Sequence, residues 1–140
     1  MKRNFEIKDG IYIKIDTKEY DLHNDYDFKV VNYSIEERIL TLAWKRSSGE
    51  WVSHDLPASL TVTFSEVSEF RFMPRDKELP FTEDDCLNSF GYWVDEEWAQ
   101  GVMILSDGQE PEASWLTALD FMSGAIITVQ SKLAKLEIQA

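Results

Sequence analysis

Residues Ser59 to Phe72 read SLTVTFSEVSEFRF, and the pattern of this stretch decides the fold class. Leu60, Val62 and Phe64 alternate with Thr61 and Thr63, and Phe70 and Phe72 flank Arg71. Successive strand side chains point to opposite faces, so a period of two in β-branched and aromatic residues reads as half-buried strand. Val67 falls out of phase, and a turn or bulge is expected between Ser65 and Ser68. The stretch is either an antiparallel strand pair or one long bent strand.

Similar runs lie on both sides of it. Phe5 and Ile7 precede Asp9-Gly10, and Ile11, Ile13 and Ile15 follow. Asp-Gly between alternating runs predicts a hairpin, because glycine adopts positive φ cheaply. Residues 17–27 are polar and rich in turn formers. A strand is expected from Tyr26 to Tyr33, with a bulge or two-faced burial where Val30-Val31 breaks parity. Ile35 to Arg38 make a turn, and Leu40, Leu42 and Trp44 mark the next strand. Trp51-Val52 is a short strand candidate that Pro57 ends.

Beyond the central stretch, residues 74–85 read as a charged loop. Thr82 followed by Glu83, Asp84 and Asp85 predicts a short helix near 83–89, since a Thr cap and acids both suit a helix N-terminus. Tyr92-Trp93-Val94 and Val102 to Leu105 are apolar runs, the second turned by Asp107-Gly108. Residues 112–122 fit helical spacing and strand alternation alike; the strand reading is preferred, because Ser123-Gly124 and the strand-like AIITVQ follow. Ala134, Leu136 and Ile138 form a last strand. The expected fold is all-β, or β-rich α+β: an antiparallel sandwich or partly open barrel of about nine or ten short strands.

At 140 residues, the chain suits one domain spanning 1–140, roughly 100–200 residues being typical. Its hydrophobic content of 44% and aromatic content of 13% supply a core without staples. The formal charge of −12 repels polyphosphates and anionic bilayers, so neither nucleic acid nor membrane is an expected partner. Cys86 is the only cysteine, which fits a reducing compartment. The first residues carry no secretory pattern, and no apolar run is long enough to span a bilayer. A cytoplasmic location is expected.

Catalytic signatures are sparse. Asp21, His23, Asn24, Asp25 and Asp27 crowd one segment and could hold a divalent cation or exchange protons, yet these residue types also build turns. His54-Asp55 lacks a recognisable nucleophile motif. Cys86 sits beside Asp84 and Asp85, whose charges disfavour a thiolate. Glycine-rich phosphate loops are absent, and no cofactor is expected.

The surface feature with most to offer spans Pro74 to Trp98. Eight acids face Arg75 and Lys77 there, with Tyr92, Trp93 and Trp98 among them. Aromatic anchors ringed by acids suit a cationic protein surface. The candidate partner-binding residues are Tyr92, Trp93, Asp95, Glu96, Glu97 and Trp98.

The chain resembles a loose group of small, acidic, β-rich bacterial proteins, some of them filed as immunity proteins of toxin–immunity pairs. The resemblance rests on Leu22-His23, Ile39-Leu40-Thr41-Leu42, Leu60-Thr61-Val62-Thr63-Phe64 with Val67, and the hairpin at Gly124 leading to Leu136-Glu137-Ile138. Asn24 stands where such proteins often have aspartate after Leu-His. The resemblance implies a β fold and an inhibitory binding role, and it supplies no catalytic residues. Three functions are thus expected in order: a non-enzymatic binder of a basic protein; a small-ligand or metal-dependent binder or hydrolase using Asp21, His23 and Asp25; a homodimer paired through an edge strand.

Overall fold

The structure, a computed structural model, describes residues 1–94, 101–106 and 108–140. Among the described residues, the ten strands are β1 (Lys2–Arg3), β2 (Glu6–Lys8), β3 (Tyr12–Ile15), β4 (Lys18–Asp21), β5 (Tyr26–Ser34), β6 (Ile39–Arg46), β7 (Ser59–Met73), β8 (Leu87–Trp93), β9 (Leu116–Phe121) and β10 (Ile126–Gln139). The large sheet runs β5-β6-β7-β10-β9-β8, with β1 added in parallel to β10. It curls into a half-barrel. A second sheet, β2-β3-β4, packs on the same core.

Ser59 to Phe72 belongs to one long bent strand rather than a pair. β7 bonds β10 from Ser59↔Gln139 to Met73↔Ile126, and the register slips by one residue between Gln130 and Ser131. Ser68 is the residue left without an opposite number, and Glu66 nearby takes a positive φ of 53°. Both lie where Val67 broke the alternation. An inserted residue bends a strand and increases its twist, which carries the two halves of the ribbon into different planes. Leu60, Val62, Phe64 and Val67 are all buried on the concave side.

Each half of the ribbon recruits its own neighbours. The first half of β7 pairs with β6, which pairs with β5. The first half of β10 pairs with β9, which pairs with β8. The β5 bulge falls at Lys29, between Phe28 and Val30, and explains the shifted valines. Asp9 and Gly10 turn the β2–β3 hairpin with φ of 53° and 73°, and the Gly10 carbonyl accepts from the Phe90 N–H, tying the small sheet to β8.

Several expectations need correction. The strands are not uniformly short: β7 has 15 residues and β10 has 14, the latter absorbing what read as two strands. Residues 18–21 form β4, whose single buried side chain, Tyr20, leaves too little apolar signal to read. Trp51-Val52 is not a strand. The helix near 83–89 is a 3-10 turn at Phe81–Asp85 that no side chain caps, and Leu87 to Ser89 already belong to β8. Thr82 lies inside that turn, so the capping pattern was local composition without helix beyond it. The Val102–Leu105 run makes one bridge, Met103 to Tyr92, and Asp107 lies outside the described residues. Residues 116–121 are strand, and both faces are covered from Leu116 to Leu119, which explains why two periodicities fitted.

Phe64 is fully buried between β6 and β10. Phe64→Ala should lower stability by about 3–5 kcal/mol, the usual cost of truncating a core Phe. Thr61→Ala, on the opposite face, should cost under ~1 kcal/mol. Urea denaturation of the two variants checks the difference, and equal effects would mean that the faces are assigned wrongly.

Candidate partner-binding surface

Of the six candidate surface residues, Asp95, Glu96, Glu97 and Trp98 lie outside the described residues. Tyr92 is buried on β8, and its hydroxyl accepts a 2.6 Å hydrogen bond from Arg3 Nη1. Its ring lies 6.4 Å from that of Trp115. Trp93, one residue on, is half-buried. Strand alternation thus separates the two described aromatics, and Tyr92 holds the first strand and β8 together.

The Asp21–Asp27 segment is a turn fastened by its own aspartate. Asp21 Oδ1 accepts from the backbone N–H groups of His23 and Asn24, both at 2.9 Å, and Oδ2 accepts from Asn24 Nδ2 at 2.8 Å. Such side-chain capture of local N–H groups is the usual work of Asp in turns. His23 Nδ1 meets the Leu87 carbonyl, which can only accept, so this nitrogen carries the proton. Burial raises the Asp25 pKa, and the neighbouring Asp21 charge adds to that rise. Among the described residues, no three His, Cys, Asp or Glu side chains converge as a cation site.

Cys86 Sγ lies 3.6 Å from His23 Nδ1. That pairing does not activate the thiol, since the nitrogen facing it is already a donor to Leu87. Burial pushes the thiol pKa up, and Glu83, Asp27, Asp21 and Asp85 push it further. The four carboxylates make a negative field around Cys86, which Lys29 offsets in part by pairing with Asp85.

That field borders a groove the sequence reading did not single out. It is an open groove of about 290 Å³ between β5, the end of β7 and the β9–β10 turn, lined by Phe28, Val31, Phe72 and Phe121 and by two ion pairs, Lys29–Asp85 and Arg75–Asp84. Phe28 and Phe121 form its floor, with ring centroids 4.7 Å apart. Phe72 is 52% exposed at its lip, and Phe81, 80% exposed, stands on the adjoining loop. Arg75 organises that loop. Its Nε bonds Asp84 at 3.0 Å, its Nη2 donates to the carbonyls of Leu79 and Pro80, and its guanidinium lies 4.7 Å over the Phe81 ring. Lys29 reaches Asp85 at 3.3 Å across the groove.

Two signals could have found this place. Phe70 and Phe72 continue the alternation past the bulge, where the sheet has fewer layers to cover them. Phe81 follows Pro80 in a loop, where no core awaits it. A second cleft, beside Arg3, Lys8 and Lys14, is lined by polar groups of both signs and offers no set converging on one reacting atom. Comparison with protein-family models, with curated proteins and with solved structures returned no match.

Burial works to raise the Asp84 pKa, but hydrogen bonds from Ser123 and Arg75, with the Arg75 charge, outweigh it and hold the carboxylate below its ordinary 3.8. A depressed folded-state pKa stabilises the fold above the unfolded value and is lost as pH falls through the folded one. Asp84→Asn should therefore flatten the loss of stability on acidification below that value, as followed by acid titration of tryptophan fluorescence. Cys86 should alkylate more slowly than free cysteine near pH 8, because only the thiolate reacts. Rapid modification by iodoacetamide would contradict its assigned environment.

Proposed function

We propose that this chain is a non-enzymatic binding protein that holds a cationic protein partner. The observation that carries this reading is the groove with its exposed Phe72 and Phe81 beside a carboxylate-rich end. Aromatic rings left at a surface cost solvation unless something covers them, and aromatics dominate the energetics of interfaces. Acids around such anchors accelerate encounter with a positively charged partner and repel wrong ones. The overall charge of −12 favours the same sign of partner. Asp95, Glu96 and Glu97 extend the acidic stretch along the sequence and add to the overall negative charge on which this reading draws.

The resemblance to immunity-type proteins supports a specific form of it: inhibition of a basic toxin domain by occlusion. The alternative, a metal-dependent binder or hydrolase at Asp21, His23 and Asp25, is disfavoured by the turn geometry. Both Asp21 oxygens and His23 Nδ1 are already committed to hydrogen bonds within the fold.

Immobilised chain, exposed to proteins of the source cell, should retain a basic protein identifiable by mass spectrometry, with retention falling as salt rises. Phe72→Ala with Phe81→Ala should weaken that complex by about 30-fold or more, the scale of losing one strong anchor at ~2 kcal/mol. Reversing Asp95, Glu96 and Glu97 to Lys should slow association and reduce its salt dependence. The thermal midpoint of the double Phe variant should stay within a few degrees of the parent, both rings being exposed. Retention indifferent to all five substitutions would sink the proposal.

A further inference from the structure

The edge of β10 that faces away from β7 is covered in two pieces. β9 pairs with it from Ile126 to Val129, and β1 takes over in parallel at Leu133 and Ala134. Between the two lies a notch, at Gln130 to Lys132. β1 is fastened by few groups. It has two register positions on β10, and the Asn4 side chain exchanges hydrogen bonds with the Leu136 N–H and carbonyl at 2.8 and 3.2 Å. Arg3 adds its bond to Tyr92. An uncovered strand edge is a template for another chain, so β1 acts as a guard on β10.

Met1 fills the notch. Its sulfur accepts from two hydroxyls, Ser131 Oγ at 3.4 Å and Thr117 Oγ1 at 3.9 Å. Ser131 is 8% exposed and Thr117 4%. A thioether is a weak acceptor, and for Thr117 it is the one side-chain partner among the described residues. Ser131 has a single proton and divides it between the sulfur and the Leu133 carbonyl at 3.1 Å. Two buried donors thus converge on an atom that satisfies neither well, and a buried donor short of an acceptor costs stability. Met1 is 49% exposed, so an oxidant in solution reaches its side chain. A cavity of about 100 Å³, lined by Met1, Trp115, Thr117 and Ser131 among others, adjoins it.

We propose that the Met1 thioether is an oxidation site whose sulfoxide the notch holds through Thr117 and Ser131. The oxidant is a hydroperoxide. A sulfur lone pair takes its terminal oxygen as the O–O bond breaks, and the proton passes to the departing oxygen. The products are the sulfoxide and an alcohol, or water where the oxidant is hydrogen peroxide. Sulfur is oxidised and the peroxide is reduced.

The new oxygen is a strong acceptor where the sulfur was a weak one. The sulfur steps back toward the cavity and solvent, which a flexible unbranched side chain allows, and the oxygen takes both hydroxyl protons. Methionine oxidation ordinarily disrupts packing, because a polar group enters an apolar place. This place is already polar, and the modification tightens the guard strand instead of loosening it. The notch shares no lining residue with the aromatic groove, so its chemistry is independent of the binding reading.

The test uses the full chain with Met73→Leu, Met103→Leu and Met122→Leu, which leaves Met1 as the sole methionine. Hydrogen peroxide is added until mass spectrometry shows one oxygen on Met1, and dithiothreitol then returns Cys86 to the thiol. Amide exchange at Lys2 to Phe5, read by NMR, should be about tenfold slower in the oxidised chain, the scale of one or two improved hydrogen bonds on local opening. Thr117→Val with Ser131→Ala should remove that slowing. Unchanged or faster exchange in the oxidised parent would show the sulfoxide expelled from the notch and overturn the proposal. Slowing that survives in the double variant would take the hydroxyls out of it and overturn it likewise.

A second measurement needs no variant at the two hydroxyls. The sulfoxide epimers carry oxygen on opposite sides of sulfur, and only one can face Thr117 and Ser131. Each epimer has its own reductase. One epimer should be reduced about tenfold more slowly in the folded chain than in a synthetic peptide of residues 1–5, as the fold withholds it, and the other should not. Equal slowing of both epimers, or of neither, would mean that the notch does not recognise the oxygen, and the proposal would fall.

Discussion

The antiparallel ladder between β7 and β10 governs the rest of the structure. It runs through 13 paired positions and is broken once, beside Ser68. A straight ribbon of that length would present one flat face too wide to cover with a chain of this size. The extra residue and the positive φ at Glu66 bend it, and the two ends acquire different neighbours. Phe28 of β5 can then reach Phe121 of β9, although the strands belong to opposite wings of the sheet. One core results, because the bend folds a single sheet over itself.

The incompleteness of that folding makes the groove. β5 and the end of β7 approach each other without bonding, and the 3-10 turn Phe81–Asp85 fills only part of the gap. Ion pairs Lys29–Asp85 and Arg75–Asp84 frame what is left. These pairs are substantially exposed, so they contribute little to stability and more to the shape and sign of the rim. Arg75 also lies against Phe81, which keeps an otherwise solvent-bathed ring in a defined place.

Much of the fold was legible because burial on one face leaves a period-two imprint. Leu60-Thr61-Val62-Thr63-Phe64 and Leu40-Thr41-Leu42-Ala43-Trp44 carry it plainly, and Val67 and Val30-Val31 marked the bulges by violating it. β4 was illegible because an edge strand with one buried residue, Tyr20, prints no pattern. The joining of residues 126–139 into one strand was illegible too: Lys132 and Leu133 are exposed where the ribbon bends, and they look like a turn. The candidate surface fared differently. Composition pointed to Tyr92, but composition does not reveal which side of β8 faces inward. The groove depends on where a sheet stops pairing, and that is decided by strand lengths that no local window contains.

β10 follows every strand it touches: β1, β7 and β9 all precede it in sequence. During synthesis, the meander of β5, β6 and the first part of β7 can assemble from near neighbours, while the second edge of β9, whose first pairs with β8, and the rest of β7 wait for residues 126–139 to emerge. Contacts between residues so distant along the chain are slow to form, and waiting edges are vulnerable to pairing with the wrong neighbour. The keystone of the arch is thus set last, and until then the nascent molecule carries open edges that the finished one pairs.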